Sequence, residues 1–184
     1  MNVLYRTIRL SIAVLVTAAI TAGSCRAGDG VKTAGDFGQL LLPATAFSLT
    51  FARHDRQGRK MFYKSYFSSL ALGYALKYSI DDNRPDGSKS ETSFISAHTV
   101  SAFSGAAFLQ RRYGWKWGAP AYAAASFVGW SRVHSRAHDW DDVYRGAAIG
   151  IAGAYFFAKP IGNNWVMTPI VGSNVLGVSF TKQW

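Results

Sequence analysis

Apolar positions recur at helical spacing over most of the chain and switch to alternation only near its end. From Met61 to Ile80, Phe62, Phe67, Leu70 and Tyr74 return at the helical period, which predicts an amphipathic helix with those residues toward a core. Phe37 to Phe51 is an apolar, helical stretch in which Pro43 starts, kinks or breaks the helix. A glycine-containing linker, Gly28 to Gly35, precedes it, and a polar, basic connector, His54 to Lys60, follows. Asp81 to Glu91 is rich in turn formers and charge and reads as a loop. Ser96 stands where a helix cap belongs, ahead of Ala97 to Arg112, in which Val100, Phe103 and Ala107 share one face. Gly114 to Gly118 is a Trp-rich turn, and Ala119 to Gly129 and Val143 to Ala158 are helices rich in small residues. Trp165 to Val171 and Val175 to Trp184 flank Gly172-Ser173-Asn174, with Leu176, Val178 and Phe180 alternating with smaller or polar residues, a hairpin signal. The pattern predicts a mainly α, compact helical domain over residues 28–184, with 165–184 as a short β-hairpin flap or lip.

The first 27 residues change that picture. Arg6 and Arg9, the apolar run Leu10 to Ile20 and the small residues after it have the parts of a secretory signal. Cleavage fits after Ser24 or after Ala27, and lipidation at Cys25 is a third route, because Ala22-Gly23-Ser24-Cys25 loosely matches a lipoprotein box. A run of about 11 to 15 apolar residues is short for a membrane span of about 20. The apolar runs Ala119 to Gly129 and Val143 to Ala158 also fall short of that length, which predicts a globular protein of the periplasm or cell envelope, with peripheral membrane contact open to it. At 184 residues and 49% hydrophobic the chain suits one core rather than two. Its net charge is +10. Removing the three leader arginines still leaves about +7, a balance that favours anionic partners. Nucleic acid is disfavoured, since the cations are scattered and no groove-reading motif is present. One cysteine excludes a disulfide framework and a cysteine-rich zinc site.

The densest chemistry lies in Trp130 to Asp142. A helix running through His138 would place Asp142 one turn later on the same face, where a carboxylate accepting from one imidazole nitrogen leaves the other free as nucleophile or base. Arg132 would offer a planar fork of donors to an anionic substrate. The same residues also suit a charged helix start complementing the helix dipole. His134, four residues before His138, opens a second reading, a metal-dependent hydrolase using His134, His138 and Asp142. Ser135 stands where a zinc-protease helix carries glutamate. Ahead of the Ala97 helix, free first-turn amides beside Ser96 and His98 form a phosphate-binding terminus.

Three separated pieces then read together. They are Lys77 followed after six residues by Arg84-Pro85; Ser96-Ala97-His98; and Ser131-Arg132, then His138, then Asp142. In order and spacing they resemble the signature of the type 2 phosphatidic acid phosphatase superfamily, which also includes bacterial class A acid phosphatases and vanadium haloperoxidases. The resemblance covers roughly residues 36–159, and Ile95 and Ala97 stand where the family has proline and glycine. An alanine at 97 costs little if it already lies in the first helical turn.

The resemblance implies a helical bundle and an acid phosphatase or lipid phosphate phosphatase. His138 would take the phosphoryl group, Asp142 orient it, and His98 act as general acid and base. Lys77, Arg84, Arg132, the Ser96 hydroxyl and the Ala97 amide would hold the phosphate. It implies no metal cofactor, inhibition by vanadate, and a substrate that is a phosphorylated small molecule or a lipid phosphate or pyrophosphate. A haloperoxidase would keep the pocket and change the reaction, although the compact chain favours a phosphatase. A non-catalytic envelope protein that binds lipid or a partner, with a vestigial site, is the reading from another class.

Overall fold

A computed structural model describes residues 27–80, 94–161, 165–172 and 175–182. The expected leader, up to residue 26, and the whole of the expected loop Asp81 to Glu91, which carries Arg84, lie outside the described residues. The described chain is mainly helical: α1 Ala27–Ala52, α2 Arg56–Ser79, α3 Ala97–Tyr113, α4 Trp115–His134 and α5 Trp140–Phe157. After them Trp165–Gly172 (β1) and Val175–Lys182 (β2) pair antiparallel, from Trp165 opposite Lys182 to Gly172 opposite Val175.

Helix α3 is the centre. It packs on α1, α2, α4 and α5, and its Val100, Ala102, Ala106, Ala107, Phe108 and Leu109 are buried. Ser96 caps it, its hydroxyl accepting from the Thr99 amide at 3.3 Å. Gly114, at φ +86°, alone ends α3 and begins α4, so the turn expected over Gly114 to Gly118 shrinks to one residue in a conformation that favours glycine.

The glycines read as a linker instead sit inside α1. A Cβ on Gly35 would collide with Ser131 and Arg132, and one on Gly38 with Val128, so glycine lets α1 lie directly on α4. Pro43 lies within α1 and removes the amide that would pair with the Gln39 carbonyl. The Ser101 hydroxyl of α3 takes that amide's place, donating to the Gln39 carbonyl at 2.8 Å, and lies 2.9 Å from the Tyr66 hydroxyl.

Helix α2 begins earlier than the basic connector suggested, because Asp55 caps it by accepting from the Gly58 amide at 2.8 Å. Its buried face is Gly58, Phe62, Ser65, Ser69 and Gly73. Phe67 and Tyr74, expected to point inward, are 57% and 44% exposed. The reason is close contact with α5. The Ser69 hydroxyl donates to the Ile149 carbonyl at 3.3 Å, and a side chain on Gly153 would strike Ser69. Only small residues fit between these backbones, so the large rings turn outward.

The end of the bundle where α3 finishes is tied by a buried ion pair. Arg112 donates to both Asp55 oxygens at 2.7 and 2.6 Å and to the Lys159 carbonyl at 2.8 Å, and the Tyr113 hydroxyl donates to Asp55 at 3.1 Å. Burial pushes the Asp55 pKa up, but hydrogen bonds from Arg112 and the Gly58 amide outweigh it and hold the carboxyl below its ordinary 3.8. The stability this contributes is present above that ordinary value and is lost as pH falls through the lower folded one. Arg112→Ala, which strands a buried carboxylate, is expected to cost about 3 to 5 kcal/mol in urea unfolding.

Candidate functional site

Each of the five helices brings one end or flank to the opposite end of the bundle. There the fourth turn of α1, the end of α2, the start of α3 and the end of α4 line a cavity of about 270 Å³, and the start of α5 stands behind His138. Lys77, Ala97, His98, Arg132, Ala137 and His138 line it, and Gln39 and Tyr74 are the other lining residues among those described.

His138 does not lie on a helix. After α4 the chain turns through Arg136 at φ +55°, and the amides of Ala137 and His138 donate back to the Arg132 carbonyl at 3.0 and 3.3 Å. This loop sets His138 against Arg132. Helix α5 starts only at Trp140, with Asp139 as its cap. Asp142 reaches His138 from the first turn of α5, its Oδ2 accepting from Nδ1 at 3.0 Å and from the Asp139 amide at 3.3 Å. Arg145 lies 3.5 Å from the other oxygen. The four-residue spacing therefore works across a helix start rather than along a helix. His138 and Asp142 are both buried, which removes the reading of this segment as a solvated charged face. The pairing directs the second ring nitrogen of His138 away from the carboxylate.

Arg132 is only 2% exposed. Its Nε donates to the Ser131 hydroxyl at 3.0 Å, Nη2 to the Lys32 carbonyl at 2.7 Å and Nη1 to Asp36 at 2.6 Å. Asp36 Oδ1 also lies 3.0 Å from His98 Nε2. Burial, then the charge of Arg132, drive the His98 pKa down from 6.5 to about 4; Asp36 opposes this and His138 adds to it. A histidine depressed in this way contributes stability that is present above 6.5 and is lost as pH falls through about 4. Asp36→Asn is expected to lower the His98 value further, an outcome that an NMR titration of its ring will show.

Of the residues expected from sequence, Lys77, Ala97, His98, Arg132 and His138 reach the cavity, and Asp142 stands behind His138. Ala97 is the first residue of α3, a helical position that alanine adopts without strain. Ser96 differs from expectation. It is fully buried, and its hydroxyl accepts from both the amide and the hydroxyl of Thr99, so it serves the helix cap rather than the cavity wall. Arg84 lies outside the described residues. His134 is not brought to His138 as a metal pair; its ring stacks on Trp130 at 4.8 Å. Among the described residues no three of His, Cys, Asp and Glu gather as a metal-binding group.

The sequence reading missed Asp36, Gln39 and Tyr74. Lys32, Gly35, Asp36 and Gln39 follow one another at helical spacing, and that stripe was the available signal.

A family model described as the PAP2 superfamily matches residues 52–165. The lipid A 1-phosphatase of Porphyromonas gingivalis is 34% identical over an alignment of length 131 that covers 61% of this chain and 29% of that protein. The lipid A 4'-phosphatase of Helicobacter pylori is 28% identical over an alignment of length 176 that covers 85% of this chain and 88% of that protein. The chain thus spans less than a third of the Porphyromonas relative and most of the Helicobacter one. No solved structure matches the chain.

Proposed function

The chain belongs to the PAP2 superfamily, and from that membership and its cavity we propose that it hydrolyses a phosphate group carried by a lipid, through a phosphohistidine formed on His138. The observation that carries this reading is a buried, carboxylate-held imidazole facing the same cavity as Arg132, Lys77 and a second imidazole.

In the proposed reaction His138 keeps its Nδ1 proton on Asp142 and attacks phosphorus through Nε2. The bond to the leaving oxygen breaks, and His98 gives that oxygen a proton. His98 then takes a proton from water, the hydroxide attacks phosphorus, the P–N bond breaks and inorganic phosphate departs. Arg132, Lys77 and the first-turn amides of α3 stabilise charge on the equatorial oxygens, with Arg84 joining them by its place in the family signature. His98 at about 4 is neutral at rest. An arriving phosphate dianion adds negative charge beside it and favours the imidazolium that the first step needs. No metal takes part in this scheme, and vanadate, a five-coordinate mimic, inhibits.

The lipid assignment is supported by the names of both relatives and by the rim. Phe37 and Leu40 of α1, Tyr78 of α2, Trp130 of α4, and Trp140 and Tyr144 of α5 are exposed, each within two residues in sequence of a residue of the site. Among the described residues no helix is long and apolar enough to cross a membrane. Aromatic side chains favour the interfacial zone of a bilayer, so the rim suits peripheral contact with the membrane that holds the substrate. Read as an export signal, residues 1–27 would send the protein to the cell envelope, with cleavage, lipidation at Cys25 or anchoring as its routes.

The test is phosphate release from phosphatidic acid dispersed in detergent and from an aryl phosphate, with and without chelator. Release that persists in chelator and stops with vanadate is expected. Loss in chelator alone would assign the chemistry to a metal, and no release from either substrate would favour a binding protein.

A further inference from the structure

Asp36 belongs to none of the three pieces of the signature, and it precedes residues 52–165, the span that the family model matches. Helix α1 nevertheless delivers it to two of the groups that the proposed reaction uses. Its Oδ1 accepts from Arg132 Nη1 at 2.6 Å and lies 3.0 Å from His98 Nε2, so one oxygen joins α4 to α3. The approach is closely fitted. One turn earlier the Lys32 carbonyl accepts from Arg132 Nη2 at 2.7 Å, and Gly35 leaves no room for a Cβ against Ser131 and Arg132. Asp36 is not among the residues that line the cavity. It holds His98 from outside the wall as Asp142 holds His138, each carboxylate 3.0 Å from a ring nitrogen.

His98 has to become an imidazolium in the first step, and its other neighbours resist that. Lys77 of α2, Arg132 of α4 and His138 of the loop after it line the same cavity, and none of them brings negative charge. Burial and then Arg132 press the His98 pKa down, Asp36 acts in the other direction, and His138 adds to the depression. Resting on the phosphatase reading, we infer that Asp36 is a positioning residue of the reaction, which holds the His98 ring and supplies the negative charge that lets it protonate a poor leaving group. The proton passes from His98 to the leaving oxygen and returns from water, while Asp36 keeps its charge throughout.

The test is Asp36→Asn, which keeps the size and an acceptor for Arg132 and removes the charge. The quantities compared are kcat/KM for phosphatidic acid, whose alkoxide leaving group needs a proton, and for an aryl phosphate, whose phenolate needs little. The first is expected to fall by about tenfold to a hundredfold, within the reach of general acid catalysis, and the second by less than about threefold. The alkaline limb of the phosphatidic acid profile moves to lower pH, because a neutral residue at 36 leaves the imidazolium less favoured. In a His98→Ala background the same substitution has no further leaving-group effect. The contrast is read within one preparation, so partial unfolding cancels from it. Equal losses on both substrates, an unmoved alkaline limb, or a leaving-group effect that persists without His98 would overturn the role of Asp36 and leave the phosphatase reading standing. A wild type that hydrolyses neither substrate would overturn that reading and this role with it.

Discussion

His138→Ala is expected to lower kcat by at least about 10⁴-fold, because in the proposed reaction it removes the atom that bonds to phosphorus and no other described group in the cavity is placed to replace it. Lysine and arginine there are cations and hold no lone pair at neutral pH. His98 turns Nε2 to the Asp36 carboxylate, so that nitrogen is committed there and is not presented to phosphorus. The fold should persist. His138 lies on a loop, and Asp142 keeps the Asp139 amide and Arg145 when the imidazole is gone. A circular-dichroism melt near that of the wild type, alongside the kinetic loss, separates chemistry from unfolding. A residual rate within tenfold of the wild type would mean that water, activated by another group, is the nucleophile.

Arg132→Lys is expected to lower kcat/KM by about 10² to 10³-fold, the cost of losing a preorganised donor at a phosphoryl group. The substitution keeps the charge and loses the geometry. Arg132 joins the Ser131 hydroxyl, the Lys32 carbonyl and Asp36 with three different nitrogens, and a lysine ammonium cannot span those directions at once. Its loss also frees the first turns of α1, so hydrogen exchange in residues 30–39 should quicken while α3 stays protected. Two readouts therefore follow from one substitution, and a kinetic loss without faster exchange in α1 would show that Asp36 and Lys32 are not its anchors.

The residues that do chemistry were more legible than the surfaces that carry them. Lys77, His98, Arg132, His138 and Asp142 could be picked out because their order and spacing resemble the family signature, which scattered surface charges rarely reproduce. Their supports were less visible. In α1 the glycines up to Gly35 read as linker by composition, yet Gly35, like Gly38 in the stretch read as helical, is there so that α1 can touch α4, a fact set by a partner some 90 residues away. That closeness brings Asp36 to Arg132 and Gln39 to the cavity. In α2 the aromatic period held at Phe62 but failed at Phe67 and Tyr74, since Ser65 and Ser69 are buried against α5 and Phe67 is pushed into solvent. Hydrophobic periodicity locates a helix well. It does not reveal an interface built from small polar residues, where backbone approach decides the packing. Ser96 could be read either as a cap or as a phosphate ligand, and its two bonds to Thr99 assign it to the cap.

The central claim is the covalent intermediate, and rapid quenching of the His98→Ala protein with an aryl phosphate tests it most directly. An aryl leaving group needs little protonation, so this variant still forms the intermediate but lacks the base for its hydrolysis. Mass spectrometry of the digest is expected to find a phosphoryl group on the peptide containing His138, accumulating within the first turnover. Turnover with that peptide unmodified, or with the phosphoryl group on any other residue, would contradict it.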